Sequence, residues 1–151
     1  MPKAAIADTP GPQHGVLKRV QEILRTARLR SDQDLVQVVE ARLPTDVVEG
    51  LRQSGVTDEE VYALVVPRRT LTHRRARREA LSRDESDRAV RLARTAALAE
   101  HVFGDKTRAW KWLRASKRRF RGRSPLQLLA TEAGARLVEE LLYRVDDGMA
   151  A

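Results

Sequence analysis

The segment best suited to chemistry is Pro67–Glu79, PRRTLTHRRARRE, which is dominated by arginine. Its first twelve residues contain six arginines, one histidine and no acidic residue. Facing like charges on a helix repel one another by roughly 0.3 kcal/mol per pair, so a helix that needed only solubility would include glutamates. The composition therefore indicates an anionic partner that compensates these charges.

The overall charge points to the same kind of partner. The 151 residues include 29 Lys and Arg against 21 Asp and Glu, which gives a formal net charge of +8 and a sequence pI near 10.7. A basic protein favours polyanions, and nucleic acid is the commonest of them. Solubility alone is the alternative explanation for such a balance.

Residues for catalysis or metal binding are sparse. The chain has no cysteine, which excludes disulfides and thiolate metal sites. His14, His73 and His101 lie far apart, without a second ligand at helical spacing. No glycine-rich phosphate loop or serine elbow occurs, and Glu100 and His101, as helix neighbours, point in different directions. We expect no enzyme activity, no cofactor and no metal.

No segment is typical of a membrane protein or an exported one. No apolar run approaches the roughly 20 residues that cross a bilayer. The start, MPKAAIADTPGPQHG, has one lysine and no apolar stretch behind it, so it is not a signal peptide. We expect a cytoplasmic protein without membrane contact.

The positions of proline, glycine and apolar residues predict an all-α chain. Residues 1–15 are rich in proline and glycine and are predicted to be disordered. After them, apolar residues recur at helical spacing without period-2 alternation. The predicted stripes are Leu17, Val20, Leu24 and Ala27; then Leu35, Val38 and Val39; then, after Pro44 and an N-cap at Thr45, Val47, Val48 and Leu51, with Gly55 ending the helix.

The elements around the arginine-rich segment are typical of a helix-turn-helix. Thr57 and Glu60 form a capping-box pattern that starts a short acidic helix at Asp58. Pro67 cannot continue this helix, but it can open the next one, where the first N–H has no partner anyway. The result is a short acidic helix, a tight turn and a basic helix, and the second helix of such a motif enters the major groove of DNA.

The C-terminal half begins with the longest predicted helix. Ser82 and Glu85 form a second capping box, and the helix runs from Asp84 to about Phe103. We place the domain boundary at Ser82, which gives a disordered N-terminus (1–15), a DNA-binding domain (16–81) and a C-terminal domain (82–151). The remaining signals are a stop at Gly104, a cap at Asp105, a capping box from Ser124 to Gln127, and a last helix with Leu137, Val138, Leu141, Leu142 and Val145 on one face.

Small residues line one face of the long helix and raise the question of dimerisation. Two halves of about 70 residues each are marginal for isolated cores, and a close helix contact across a dimer would match a symmetric operator. Ordinary packing within the chain is the alternative. The predicted dimer residues are Leu92, Ala93, Ala96 and Ala99.

The basic helix divides into two candidate sets of DNA-binding residues. Those near its N-terminus are placed to reach base edges, and the later arginines are placed to neutralise phosphates. The alternative is a solvated basic helix with Leu71 in the core. The candidates for base edges are Arg69, Thr70, Thr72 and His73, and those for phosphates are Arg74, Arg75, Arg77 and Arg78; Arg68 belongs to the DNA-binding set without an assigned role.

Three segments carry a resemblance to a known family. RRTLTHRR, LSRDESDR and VFGDKTRAWKWLRASKRRFRGRSPLQLLATEAG, in this order, resemble bacterial antitoxins of the Xre/MbcA/ParS type, in particular those of RES–Xre toxin–antitoxin pairs. The resemblance covers about residues 57–148. One departure is the turn Val65-Val66-Pro67, where glycine and serine are usual.

The resemblance implies a fold and a function for each half. It implies an Xre-like helix-turn-helix domain that binds the operon's own operator, followed by a small helical domain that binds and blocks a RES-domain toxin acting on NAD. The toxin-binding residues it implies are Trp112, Ser124, Arg144, Asp146, Asp147 and Gly148.

Several interpretations remain open at this point. Trp110 and Trp112 cannot share one helix face, so one is core and the other is free for an interface. The loop from Arg114 to Arg123 is a solvated loop with Phe120 turned inward, a second DNA contact or a toxin contact. The chain as a whole is a type II antitoxin and autorepressor, or else a stand-alone DNA-binding transcriptional regulator without a toxin.

Overall fold

In the computed structural model, residues 12–148 are described, and every regular element among them is helical. The all-α prediction is confirmed. The helices are α1 (Pro12–Leu24), α2 (Asp32–Glu40), α3 (Val47–Ser54), α4 (Asp58–Leu64), α5 (Arg68–Ala76), α6 (Arg83–Phe103), α7 (Lys106–Arg114), α8 (Pro125–Leu128) and α9 (Glu132–Asp146), with a short 3-10 helix at Arg118–Phe120.

The N-terminus is more ordered than its composition predicts. Residues 1–11 of the segment predicted to be disordered lie outside the described residues. Residues 12–15 belong to α1, so the prediction is wrong for them. Proline is tolerated at the first helical position, and the helix gains packing from Val20, which is fully buried. At the other end, Ala27 lies beyond α1 and is exposed.

Most of the predicted helix ends are confirmed because capping depends on local sequence. Gly55 and Gly104 end their helices with φ of 119° and 66°. Asp105 accepts hydrogen bonds from the Thr107 and Arg108 N–H groups. The capping boxes of Ser82 with Glu85 and of Ser124 with Gln127 are complete in both directions.

Two predicted caps differ from the structure. Helix α3 begins at Val47 after Asp46, so Thr45 is not its N-cap. The Thr57 hydroxyl does accept the Glu60 N–H, at 3.2 Å. The Glu60 carboxylate, however, binds the Arg114 guanidinium rather than the Thr57 N–H. The capping box at α4 is therefore half formed, because a distant cation competes for its carboxylate.

Helix α6 is the centre of the packing. It lies against α1 and α2 from the N-terminal half and against α7 and α9 from the C-terminal half. The buried apolar side chains before and after Ser82 form one continuous cluster. The long helix thus holds the two halves together around a shared core.

The predicted dimer contact on α6 is wrong. All four side chains proposed for it are at most 1% exposed within the single chain. Their small size lets the surrounding helices α1, α7 and α9 approach closely, and no part of the stripe is left to face a second protomer. The residues concerned are Leu92, Ala93, Ala96 and Ala99.

The last helix packs on α6 and α8 through one face, as predicted, with one exception. Val138, Leu141 and Leu142 are buried and Val145 is half-buried. Leu137, predicted on the same face, is 51% exposed. It lies at one edge of the apolar stripe, on the side away from Leu142, and the contact with α6 and α8 leaves this edge exposed.

Candidate nucleic-acid and partner interfaces

The turn between α4 and α5 is built without glycine. Val65 and Val66 are fully buried, and their N–H groups both donate to the Val61 carbonyl, at 2.9 and 3.1 Å. Pro67, with φ of −57° and ψ of 147°, then redirects the chain into α5. Apolar burial replaces the usual glycine-containing turn, and a three-residue connection between the two helices is preserved.

Helix α5 exposes most of the residues predicted to contact DNA. Leu71 is 2% exposed, which confirms its predicted place in the core. Thr72 is exposed, and its hydroxyl donates to the Arg68 carbonyl at 3.0 Å. The exposed members of the predicted set are Arg68, Arg69, Thr72, His73, Arg75, Arg77 and Arg78, whereas Thr70 and Arg74 are half-buried.

The structure assigns Arg74 a different partner from the predicted phosphate. Its Nε and Nη2 atoms donate to the two carboxylate oxygens of Glu85 at 3.0 and 3.1 Å, and Nη1 lies 3.4 Å from Glu79. Glu85 is buried and also closes the capping box of α6 through Ser82. Arg74 therefore fastens α5 to the start of α6, and part of the charge repulsion within α5 is compensated inside the chain.

The charge on Glu85 depends on this contact. Burial by itself raises the pKa of its carboxyl. The hydrogen bonds from Arg74 and Ser82 and the nearby guanidinium charge outweigh burial, so the pKa lies below its ordinary value. Glu85 is thus a buried carboxylate that stays ionised because a bidentate arginine and a helix N-terminus surround it.

Arg75 is paired more loosely. Its Nη2 lies 3.1 Å from a Glu49 oxygen that also accepts Arg52 at 2.8 Å, and Arg52 in turn pairs with Asp58. Exposed pairs of this kind contribute about 0–1 kcal/mol. A DNA phosphate competes with such a contact at little cost, so Arg75 is available to both partners.

The other four arginines of the segment Pro67–Glu79 have no such partner. Within residues 12–148, no carboxylate forms an ion pair with them, and all four are exposed. Two stand at the start of the helix and two just beyond its end. They are Arg68 and Arg69, and Arg77 and Arg78.

Replacing Arg74 with alanine is expected to destabilise the fold, because Glu85 would remain buried without its cation. Loss of a charged hydrogen-bonded partner of this kind costs about 2–3 kcal/mol. The measurement is the free energy of unfolding in urea, with Arg77→Ala as the exposed control that should stay near wild type. Equal stability of the two variants would contradict the assigned role.

The same pair predicts a pH dependence. The folded-state pKa of Glu85 is depressed, so its stabilising contribution is present above the unfolded pKa of about 4.3 and is lost as pH falls through the folded value. The difference in unfolding free energy between wild type and Arg74→Ala should therefore shrink below about pH 4. A difference that stays constant down to pH 2.5 would contradict this assignment.

The two tryptophans are placed differently, as their spacing predicts. Trp110 is 4% exposed, and its Nε1 donates to the Ser54 carbonyl at 2.8 Å. Trp112 is half-buried against Phe103, with ring centroids 5.5 Å apart, and the Lys117 ammonium lies 4.9 Å above its ring. Trp110 fixes α7 to α3, and Trp112 is the one with surface available to a partner.

Ser124 and the end of α9 differ in accessibility. Ser124 is buried, and its hydroxyl accepts the Gln127 N–H, so its role is to start α8. Arg144, Asp146 and Asp147 are exposed. Gly148 follows with φ of 70°. The structure brings these four C-terminal residues together and keeps Ser124 apart in the interior.

The two aspartates stand where a helix disfavours them. Asp146 is the last residue of α9 and Asp147 is its C-cap, and the C-terminus of a helix already carries a partial negative charge. Within the described residues, the one ion-pair contact of these aspartates joins Asp146 to His101 Nε2 at 3.9 Å, and it is ionic only when the imidazole is protonated. The end of α9 therefore presents negative charge that a cationic partner would stabilise.

Sequence reasoning missed the acidic partners of α5 and a cleft between α6 and α9. The cleft, of about 230 Å³, is lined by both charge signs, including Arg91, Arg94 and Glu139. Arg94 bridges Asp32 and Glu139 at 3.5 and 3.2 Å. Glu85 was visible in the sequence only as a cap, and nothing there indicated that Glu49 lies beside Arg75.

Two negative observations apply to residues 12–148. No group of three or more histidine or acidic side chains in this range is arranged to hold a metal ion. None of the helices in it combines the length and apolarity that crossing a membrane requires.

Comparison with known domain families matches both halves of the chain. Residues 34–94 match the Antitoxin Xre-like helix-turn-helix domain. Residues 98–148 match the Antitoxin Xre/MbcA/ParS C-terminal toxin-binding domain. The first match contains α4, the turn and α5, and the second contains Trp112, the arginine-rich loop at 114–123 and the acidic end of α9.

Two curated relatives are similar over most of their length. An antitoxin Xre from Pseudomonas putida is 36% identical over 136 residues, which cover 89% of this chain and 85% of the relative. An antitoxin Xre from Yersinia enterocolitica is 31% identical over 118 residues, covering 76% and 80% respectively.

Proposed function

The chain belongs to the Xre antitoxin family, with an Xre-like helix-turn-helix domain before a toxin-binding domain, and we propose that it is a type II antitoxin that blocks a RES-domain toxin and represses its own operon. The observation that carries this proposal is the separation of charge between the exposed end of α5 and the exposed end of α9. The basic end of α5 suits DNA phosphate, and the acidic end of α9 suits a cationic protein surface.

The DNA-binding half of the proposal depends on α5. Four exposed arginines without ion-pair partners in the described residues frame a helix that follows a three-residue turn. Arginines in this arrangement position a helix on the DNA backbone, and side chains such as Arg69, Thr72 and His73 read base edges. Binding to the operon's promoter by this surface would repress transcription.

The toxin-blocking half depends on the acidic end of α9. The resemblance to the family implies that RES-type toxins act on NAD. A binding site for NAD carries cationic side chains that bind the phosphates of the cofactor. Asp146 and Asp147 lie at the exposed C-terminus of α9, where the helix dipole opposes them. Pairing with arginines of the toxin would relieve that repulsion and occupy the cofactor's place.

A homodimer is part of the proposal, although the α6 stripe does not form it. Helix-turn-helix proteins bind two half-sites with two-fold symmetry, and each subunit supplies one recognition helix. Light scattering at tens of micromolar should give twice the mass of the 17.1 kDa chain. A monomer at this concentration, with or without promoter DNA, would remove the dimer from the proposal.

The second candidate function is a DNA-binding regulator without a toxin. Such a regulator would also bind DNA through α5, but the acidic end of α9 would have no role in it. The neighbouring gene distinguishes the two, because only the antitoxin requires a RES-domain reading frame in the same operon.

The experiment that tests the proposal is co-expression. The neighbouring reading frame is expressed from an inducible promoter, alone and together with this chain, and growth is followed. We expect growth arrest by the neighbour alone and recovery with the chain. Arrest that persists when the chain is abundant and folded would overturn the antitoxin function and leave the regulator.

A further inference from the structure

A second arginine-rich surface lies in the C-terminal half. The segment Lys117–Arg123, here called the basic loop, contains one lysine and four arginines and no acidic residue. Arg118, Arg119, Arg121 and Arg123 are all exposed. None of them forms an ion pair with a carboxylate in residues 12–148. The basic loop thus concentrates uncompensated positive charge, as the ends of α5 do.

The basic loop is held in one conformation. The Phe120 side chain is buried and anchors the middle of the segment. The Lys117 N–H donates to the Arg123 carbonyl at 3.0 Å, and the Gly122 N–H donates back to the Lys117 carbonyl at 2.9 Å. Arg121 and Gly122 turn the chain with positive φ of 55° and 82°. A closed loop of this kind fixes the backbone positions from which the arginines extend, which lowers the entropy cost of ordering the loop on binding.

The start of the basic loop is fixed to the helix-turn-helix. Three residues before it, Arg114 donates from Nε to Glu60 at 2.8 Å and from Nη2 to the Gly55 carbonyl at 2.7 Å. Glu60 belongs to the first turn of α4. The Cα atoms of Arg114 and Lys117, three residues apart, are separated by at most about 10 Å. The basic loop therefore begins within this distance of Arg114, whose side chain is bound beside α4.

This position matters because of how a helix-turn-helix docks. The helix before the recognition helix crosses the DNA backbone while the recognition helix enters the groove. The first turn of α4 is acidic, with Asp58, Glu59 and Glu60, and would repel phosphate. Arg52 and Arg114 neutralise two of these three carboxylates, and Arg114 comes from the C-terminal half of the chain.

We propose that the basic loop is a second DNA contact that binds backbone phosphates beside the groove entered by α5. The proposal rests on the proposed DNA binding by α5 and extends it to the domain otherwise assigned to the toxin. Its arginines would contribute affinity that is independent of sequence, because phosphates carry no base information. The competing occupant, an acidic surface of the toxin, becomes an outcome of the test.

The test compares salt dependence of DNA binding in wild type and in a triple variant, Arg118→Ala, Arg119→Ala and Arg121→Ala. Fluorescence anisotropy is measured with promoter DNA and with an unrelated duplex from 50 to 300 mM salt. Each lost phosphate contact reduces the slope of log K against log salt by about 0.9. We expect the slope of log K against log salt to be smaller by about 2.7 per bound subunit in the triple variant, on both duplexes. Toxin neutralisation should be unchanged.

Two control variants make the result specific. Replacing Arg28, Arg30 and Arg136 with alanine removes the same charge from exposed positions outside both basic surfaces and should leave the slope near wild type. Replacing the three loop arginines with lysine keeps the charge and should retain most of the slope. Unchanged toxin neutralisation by the alanine variant shows that its reduced slope is not a folding defect.

The outcomes separate the inference from the proposed function. Wild type that binds promoter DNA, with an unchanged slope in the triple alanine variant, overturns the role of the basic loop alone. Lost neutralisation with unchanged DNA affinity also overturns it and assigns the loop to the toxin. Wild type that binds no DNA at low salt overturns both the inference and the proposed repression.

Discussion

Replacing Arg77 and Arg78 with alanine is expected to weaken DNA binding by roughly three to four orders of magnitude at 0.1 M salt if the chain binds as a dimer. Both side chains are exposed at the end of α5 and have no ion-pair partner in the described residues. Four lost phosphate contacts per dimer remove about 3.6 from the slope of log K against log salt. The loss should be equal for promoter and unrelated DNA.

The control for this variant is the pair Arg28→Ala and Arg30→Ala. It changes the net charge by the same amount, and both residues lie in the connection before α2. The first residue of α2, Asp32, pairs with Arg94, which also pairs with Glu139 of α9, so this connection leads into a contact with α9 rather than with α5. Wild-type affinity is expected for this control. If both double variants weaken binding equally, the effect is one of net charge, and α5 is not a DNA-contacting surface.

Local signals in the sequence were sufficient for most helices and their ends, although not for the start of α1 or the N-cap of α3. Gly104, Asp105 and the two complete capping boxes act through residues three or four positions away, so their geometry follows from sequence spacing. The turn before α5 could also be located from Pro67, although glycine is absent. The fold class follows from these signals together with the helical spacing of apolar residues.

Contacts between distant residues could not be predicted in the same way. Arg74 has the same local character as Arg77, and only the fold brings Glu85 to one and leaves the other exposed. The small residues of α6 fit a dimer contact and a tight intramolecular core equally well, since both need close helix approach. The ion pair between Glu60 and Arg114 joins the two halves of the chain, and no pattern in the sequence near either residue predicts it.

Removing residues 146–151 is expected to abolish or strongly weaken toxin neutralisation while DNA binding stays at wild-type affinity. The last half-buried apolar residue of α9 is Val145, so among the described residues the deletion removes exposed charge and little of the core. The measurements are growth rescue, promoter affinity and helix content by circular dichroism. Changing Asp146 and Asp147 to lysine should have the same effect, through repulsion of the toxin's cations.

A matched charge reversal shows whether the position of these acids matters. Glu40 and Glu132 are exposed at the end of α2 and at the start of α9, and changing both to lysine should preserve rescue. Full rescue by the 146–151 deletion would instead confine toxin binding to the surface around Trp112 and α8. The acidic end of α9 would then have no part in neutralisation.

The most direct test of the antitoxin assignment is the rate at which the purified neighbouring RES-domain protein consumes NAD while this chain is titrated in. The account predicts that NAD loss slows in proportion to added chain and stops at a fixed stoichiometric ratio. It also predicts that the chain lacking residues 146–151 fails to stop it at the same ratio. NAD consumption that continues unchanged in the presence of excess folded chain would contradict the account.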